Sequence, residues 1–455
     1  MASATGFEER MNQTETQVAV SYADYGCEKM IYDVRMGPQA VEHEGIIYFV
    51  YAGGREGPEG HPFIRSYDIA GRVWSDPCRI GTVPHYDRHF APVLWFDADD
   101  RLHVLFNCHG KSSTHIVSED PTSIDRWKEG PEVAPSISYP RVLCLRDGRH
   151  LKYSRTFGHM GYWTYRLTED GGFTWTDSKP LIDLDQNPQD NRDLWAGSYE
   201  STELDEDGAG LHIGFVYLDE QVEVKKHSKH AINPLYNEAT HTNGRHHLYY
   251  AHLDFDSGEL TSFEGASLGL PVNRSAAQQL KIVDTGWRMT NPPSMTNDDE
   301  GRPCFLLPVM GNESPWRGHH EFVRCEGDAW VSVPVAPLNS TWDSNLLVRG
   351  GPGEITALVV TGDYDGSTLP YGGGTLEVWV STDGGVSWSY SESLVPDSRM
   401  ICNNPKLVTR SSGKPLGGYL TFFGWQGPGS FARGRDGTFG KNTGRAYLWY
   451  DGDWL

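Results

Sequence analysis

Residues 168–175 read TEDGGFTW, and residues 381–388 read STDGGVSW. Both fit the pattern S/T-x-D-x-G-x-x-W. The aspartate and glycine fix a tight hairpin turn, and the tryptophan packs beneath it. Such a motif closes a pair of strands, and its return far down the chain points to a repeated unit. Further turn signals stand at DADD (97–100), RDG (146–148), DEDG (205–208), NDDEG (297–301) and SSG (411–413). An apolar or aromatic run precedes each, and another follows: LHVLF, LKYSR, LHIGFVYL, PCFLLPVM and LGGYLTFFG. Four strands per unit at a period of roughly 40–50 residues is the signature of a propeller.

The expectation is therefore an all-β, seven-bladed β-propeller forming a single domain over residues 1–455. Its units fall near 46–81, 89–133, 139–183, 199–268, 289–335, 340–396 and 401–455. The stretch before residue 46 is expected to supply a strand that closes the ring. The fourth unit is long because of an insertion at about 219–245, rich in His, Lys and Asn. Long loop insertions in such folds often shape a site. A two-sheet sandwich shares the strand spacing and is the alternative.

Composition agrees. A chain of 455 residues exceeds the usual size of one compact core, and a large closed β architecture is the exception. The 51 glycines, 15 tryptophans and 22 tyrosines suit short aromatic strands joined by glycine turns. The formal net charge of −22 disfavours nonspecific nucleic-acid binding, which needs a basic surface. It also disfavours anionic substrates unless arginines focus positive potential in a cleft. No apolar run is long enough to span a bilayer. The seven scattered cysteines form no CxxC pair, and their odd number excludes complete intrachain pairing. MASATGFEERMNQ lacks the apolar stretch of a secretory signal. The expected location is extracellular or periplasmic as a mature form, with the cytoplasm as the alternative, and a monomer is expected.

Candidate chemistry sits in units two and three. HFAPVLWFDADDRLHVLFNCH (89–109) begins and ends on histidine. YPRVLCLRDGRHLKYSR (139–155) begins on tyrosine and ends on arginine. Each reads as one hairpin, at the same phase of neighbouring repeats, so His89, His109, Tyr139 and Arg155 are expected to converge. Imidazole, phenol and guanidinium together suit β-elimination at a 4-linked uronic acid. The guanidinium neutralises the carboxylate, a base takes the C5 proton and an acid protonates the leaving oxygen. Arg155 is given the first role. Tyr139 and one of the two histidines share the others, in an order the sequence leaves open. A nearby guanidinium is expected to lower the tyrosine pKa, and burial to hold the imidazole neutral. The scheme requires no metal or redox cofactor. Taken singly, each of these residues is more often structural, and the joint pattern carries the reading.

These segments, with GRHHLYYAHL (244–253), resemble the propeller lyases of the BNR-repeat group. That group includes ulvan lyases of polysaccharide lyase families 24 and 25, and fungal lyases acting on rhamnose-linked glucuronate in gum-arabic-type glycans. The likeness covers most of the chain at the level of blade pattern and is specific mainly in blades two and three. It implies a histidine pair, a tyrosine and an arginine, at His89, His109, Tyr139 and Arg155. A shorter spacing between His109 and Tyr139 implies a shortened loop beside the cleft. Some relatives hold a structural metal, so His246 and His252 are expected to share one face of a strand as ligands to Zn or Ca. His85, Tyr199, Asn243 and Arg245 are candidate substrate contacts. Tyr199, Trp195, Trp287 and Trp316 are candidate sugar platforms, against a plainer role in packing. An acidic polysaccharide is the expected partner, with neither nucleic acid nor membrane. The competing functions are a sialidase-like glycoside hydrolase, suggested by the two turn motifs, and a non-catalytic glycan-binding propeller.

Overall fold

The computed structural model describes residues 21–23, 31–33, 35–54, 60–85, 87–158, 161–184, 194–221, 231–236, 238–240, 245–314, 316–340, 342, 344–361, 373–394, 400–426 and 444–455. Seven antiparallel units follow one another along the chain. The first holds Ala40–His43, Ile46–Gly53 and His61–Asp68. The second runs from Val93–Phe96 to Trp127–Glu129, the third from Ile137–Cys144 to Lys179–Ile182 and the fourth from Leu194–Leu204 to Lys281–Val283. The fifth runs from Ser294–Asn297 to Ala329–Leu338, the sixth from Asn345–Arg349 to Ser389–Leu394 and the seventh from Met400–Arg410 to Asp453–Trp454. This is the all-β, seven-bladed propeller.

The stretch before residue 46 meets the last blade directly. Ala40–His43 is the inner strand of the first blade itself, and it pairs in parallel with Met400–Arg410 through Val41↔Thr409 and Glu42↔Arg410. That pairing joins the last blade, Met400–Arg410 to Asp453–Trp454, and the first into one sheet. The insertion in the fourth blade carries a small hairpin of its own, Ala231–Asn233 against Glu238–Thr240.

Both turn motifs form as written. Asp170 accepts from the backbone N–H of Phe173 and Thr174, and Thr168 Oγ1 accepts from Gly172 N at 2.9 Å. Asp383 and Ser381 repeat the pattern. Glycine is required where the motif meets the preceding blade. A Cβ on Gly171, at φ +73°, would lie 2.3 Å from Asp97 Cβ, and one on Gly385, at φ +84°, would lie 2.0 Å from a Phe322 ring carbon. Trp95 closes the first seam by donating to Gly171 O at 2.7 Å. These motifs lie at the turns between third and fourth strands. His89, Tyr139 and Arg155 lie at the opposite strand ends.

The inner strands surround an axial cavity of about 1420 Å³. It runs from Asp33 and Arg35 past Arg141, Glu203 and Lys406 to the turns at Arg146 and Asp207. His89, His109, Tyr139 and Arg155 do not line it. They stand beside its upper end, and Asp33 and Arg35 form the shared wall. Among the described residues no helix is long and apolar enough to cross a membrane.

Candidate functional site

The two hairpins deliver their ends to one place, with local devices the sequence reading did not contain. His89 lies in a single 3-10 turn, Arg88–Phe90, ahead of the second blade's inner strand Val93–Phe96. His109 lies just past the returning strand Leu102–Phe106. The histidines thus flank the hairpin instead of forming its rungs. Their ring centroids are 4.0 Å apart.

Tyr139 is placed by backbone strain. Along Ile137–Cys144 the pairing jumps from Ser138↔Arg155 to Arg141↔Tyr153, three steps against two, which is a one-residue bulge. Pro140 brings no N–H to the ladder. Tyr139 takes φ +55°, a left-handed conformation that costs a β-carbon-bearing residue roughly 1–2 kcal/mol. The bulge turns its side chain toward the histidines, and its hydroxyl lies 3.0 Å from His89 Nε2.

Asp87 joins the two imidazoles. Its Oδ1 lies 2.5 Å from His89 Nδ1 and its Oδ2 lies 2.6 Å from His109 Nδ1. Oδ1 also accepts from the His89 backbone N–H at 3.0 Å, capping the turn. Burial pushes against a charge on Asp87, but the hydrogen bonds from His109 and His89 outweigh it and hold the carboxyl well below its usual range. Burial lowers His89 to about 4, so its ring is neutral near pH 7. This agrees with the sequence expectation. The expectation for tyrosine does not hold. Burial and the neighbouring Tyr199 push the Tyr139 phenol well above its ordinary value, although Arg35 and Arg155 pull the other way. Tyr139 therefore rests as a phenol, a proton donor.

Behind Tyr139 stands a lattice of cations and rings. The Arg155 guanidinium sits 4.9 Å from the Tyr139 ring centroid and 4.7 Å from that of Tyr199. Arg35 lies 4.5 Å from the Tyr139 centroid, Arg245 4.0 Å from that of Tyr199, and Arg88 4.8 Å from that of Trp342. Arg35 is paired with Asp33 at 2.7 Å, and Arg245 donates to Asn291 at 2.6 Å. The three Arg155 nitrogens are buried without a hydrogen-bond partner, and the residue is 1% exposed. Burial pushes the Glu200 carboxyl up to about 8, against the pull of Arg155. Positive potential thus gathers in a chain whose net charge is −22.

The open side is the histidine side. The His109 side chain is 32% exposed and that of His89 13%, while Tyr139 is 2% exposed. His85 is exposed and stands outside the cluster, packing edge-on against Phe90. Tyr199 is no sugar platform, because it is 2% exposed and guanidinium groups cover its ring. Trp287 is 46% exposed and packs against His246. Asn243 and the Trp195 side chain lie outside the described residues.

The metal pairing of His246 with His252 is not formed. His246 pairs with Tyr217, His252 pairs with His212, and a bulge lies between. Since positions 212 and 217 are five apart on a regular strand, they face opposite sides of the blade, roughly 16 Å apart. The structure instead gathers His252 with His212 and Asp205, their ligand atoms within 4.8 Å of one another. His212 Nδ1 meets Tyr250 OH at 2.7 Å, which leaves Nε2 facing Asp205. A Cβ on Gly210 would lie 2.5 Å from both Asp205 Oδ2 and His252 Nε2, so the cradle depends on that glycine. Two imidazoles and a carboxylate fit a zinc-like ion.

Asp33, Arg35, Asp87, Arg88, Glu200 and Trp342 were missed from sequence. Asp87 sits inside HYDRH (85–89), between the candidate residues His85 and His89. Arg35 lies in a stretch read only as ring closure.

A model described as "BNR repeat-containing family member" matches residues 61–337. An ulvan lyase of Alteromonas sp. (strain LOR) is 24% identical over 321 residues, 63% of this chain and 62% of that protein's length. A PL25 ulvan lyase of Pseudoalteromonas sp. (strain PLSV) is 23% identical over 415 residues, 82% of this chain and 77% of that one. Among solved structures, one described as a polysaccharide lyase PL25 ulvan lyase superposes with a TM-score of 0.75 at 19% identity, covering 96% of this chain and 97% of the other. A form bound to -[GlcA(1-4)Rha3S]- gives 0.74 at 18%, with the same coverage.

Proposed function

Because the chain belongs to the BNR repeat-containing family, we propose that it is a polysaccharide lyase cleaving a 4-linked uronic acid by β-elimination, on a rhamnose–glucuronate linkage of ulvan-like or gum-arabic-like type. One observation carries the reading: a phenol is hydrogen-bonded to a buried imidazole beside a buried guanidinium whose nitrogens have no hydrogen-bond partner. The uronate enters from the open side at His109. The base removes the C5 proton, the C4–O4 bond breaks, C4=C5 forms, and O4 leaves with a proton. The histidine pair is suited to the first transfer and the Tyr139 hydroxyl to the last. Arg155 supplies the charge that offsets the carboxylate and the developing enolate. Its burial sets a condition: direct contact with the carboxylate requires a neighbouring side chain to swing aside, and otherwise its field acts across the Tyr139 ring. A polymeric substrate too large to cross a membrane puts the reaction outside the cytoplasm.

The reading draws support from both ulvan lyase relatives and from the oligosaccharide-bound neighbour. Against a sialidase-like hydrolase, Arg35 is engaged by Asp33 and Arg245 by Asn291, and the Tyr139 hydroxyl meets an imidazole, not a carboxylate. A divalent metal belongs to Asp205, His212 and His252 as a structural ion and takes no part in this chemistry. The test is incubation with ulvan and other 4-linked uronate polysaccharides, following ultraviolet absorbance of the unsaturated uronate. New reducing ends without that absorbance, or binding without turnover, would sink the lyase reading.

A further inference from the structure

We propose that Asp87 is the positioning residue that sets the tautomer of both histidines, so that one carboxylate makes both Nε2 atoms basic. The inference rests on the lyase reading for its consequence in catalysis, but its geometry stands apart from it. An ionised carboxylate only accepts hydrogen bonds. Its two oxygens lie 2.5 and 2.6 Å from the two Nδ1 atoms, so each Nδ1 carries a proton and donates it. A neutral imidazole has one N–H, so the lone pair of each ring falls on Nε2. At His89 that lone pair receives the Tyr139 hydroxyl proton at 3.0 Å. The chain of donors is thereby fixed in direction: Tyr139 to His89 to Asp87. At His109 the basic nitrogen belongs to a side chain that is 32% exposed, on the side open to solvent.

Two otherwise similar histidines are made unequal by what their Nε2 atoms meet. One is committed to the phenol and can return a proton to it. The other faces the entrance. A carboxylate fixed by the backbone N–H of His89 holds both rings in register.

The discriminating variant is Asp87→Asn in the full-length protein. Asparagine keeps an oxygen to cap the turn at His89 N, but its amide nitrogen must donate to one Nδ1. That ring is driven to the Nε2–H form and loses its base. By analogy with other carboxylate–imidazole pairs, kcat should fall about 10²- to 10⁴-fold while KM stays within about threefold. The melting temperature should stay close to that of the native chain. Nitrogen-15 NMR of histidine-labelled protein should report both rings as Nδ1–H in the native chain, and at least one switched in the variant. A native spectrum with Nε2–H at either ring overturns the proposal whatever the activity. So does an unchanged kcat in a variant whose tautomer has switched. If the native protein makes no unsaturated product but the tautomer switch is seen, the lyase reading fails and the positioning role stands. Asp87→Ala separates capping from tautomer control. If it alone loses stability, while Asp87→Asn remains folded and inactive, the role is positional. If Asp87→Asn unfolds equally, the aspartate is structural and the proposal falls.

Discussion

The molecule builds the same three side chains, one aspartate and two histidines, into two clusters with opposite wiring. In Asp87, His89 and His109 the carboxylate takes both Nδ1 atoms and turns both Nε2 atoms away from itself. In Asp205, His212 and His252 both Nε2 atoms face the carboxylate, at 3.1 Å, and Tyr250 meets His212 Nδ1 from behind. The first arrangement spends the carboxylate on orientation and presents basic nitrogen to a reactant. The second turns both Nε2 atoms and the carboxylate toward one centre, an arrangement that holds an ion once the ring protons there are displaced. Composition is the same in both, and the ring nitrogen that meets the carboxylate decides what each can do.

That contrast breaks most sharply at Tyr139. Tyr139→Phe removes the proton donor without changing the ring stack, so kcat should drop about 10²- to 10⁴-fold with KM within about threefold. Arg155→Ala should cost about 10³-fold in kcat/KM with the fold retained, as seen by unchanged far-ultraviolet circular dichroism. If the tyrosine variant mainly raises KM, Tyr139 only binds. An active arginine variant would remove Arg155 from the mechanism.

A smaller effect lies in the pH profile. His89 is pushed down to about 4 by burial and works as the neutral form. Protonation on acidification removes that form. The acidic limb of kcat/KM should therefore fall near pH 4, in contrast to an exposed imidazole that titrates at about 6.5. A limb near 6.5 would mean that a more solvated group than His89 governs the acidic side.

The smallest effect belongs to the second cluster. Asp205→Asn should leave kcat within about threefold, because nothing at this end of the blade touches the reacting groups. Zinc titrated into the metal-free native protein should raise its melting temperature by a few degrees, and the variant should not respond. Zinc without effect on the native chain would mean that the cluster is only a hydrogen-bonded one, and a variant that loses turnover would couple the two sites.

Much of this was legible in the sequence. The paired turn motifs and the period of strand pairs are local properties, and seven strand units follow that rhythm, the fourth running on to Lys281–Val283. His89, His109, Tyr139 and Arg155 do meet, because the phase of neighbouring repeats survives folding. What failed turned on single-residue shifts and on contacts between distant segments. The extra residue between His246 and Tyr249, opposite Phe215 and Tyr217, reverses the facing of His246 relative to His252, and no periodicity reveals a bulge. Arg35 reaches Tyr139 and Tyr199 from a segment more than one hundred residues away, as read from their numbers. Tyr199 reads as a platform by its type and is covered by its neighbours.

By itself the sequence determined the architecture, since turn chemistry and strand alternation act over a few residues and repeat faithfully. It also determined which side chains stand at the ends of the second and third blades. Tertiary structure alone decided their protonation and their roles. Those depend on burial, on the field of arginines drawn from four different segments, and on which imidazole nitrogen meets Asp87. Each is a property of distances that exist only after the ring has closed.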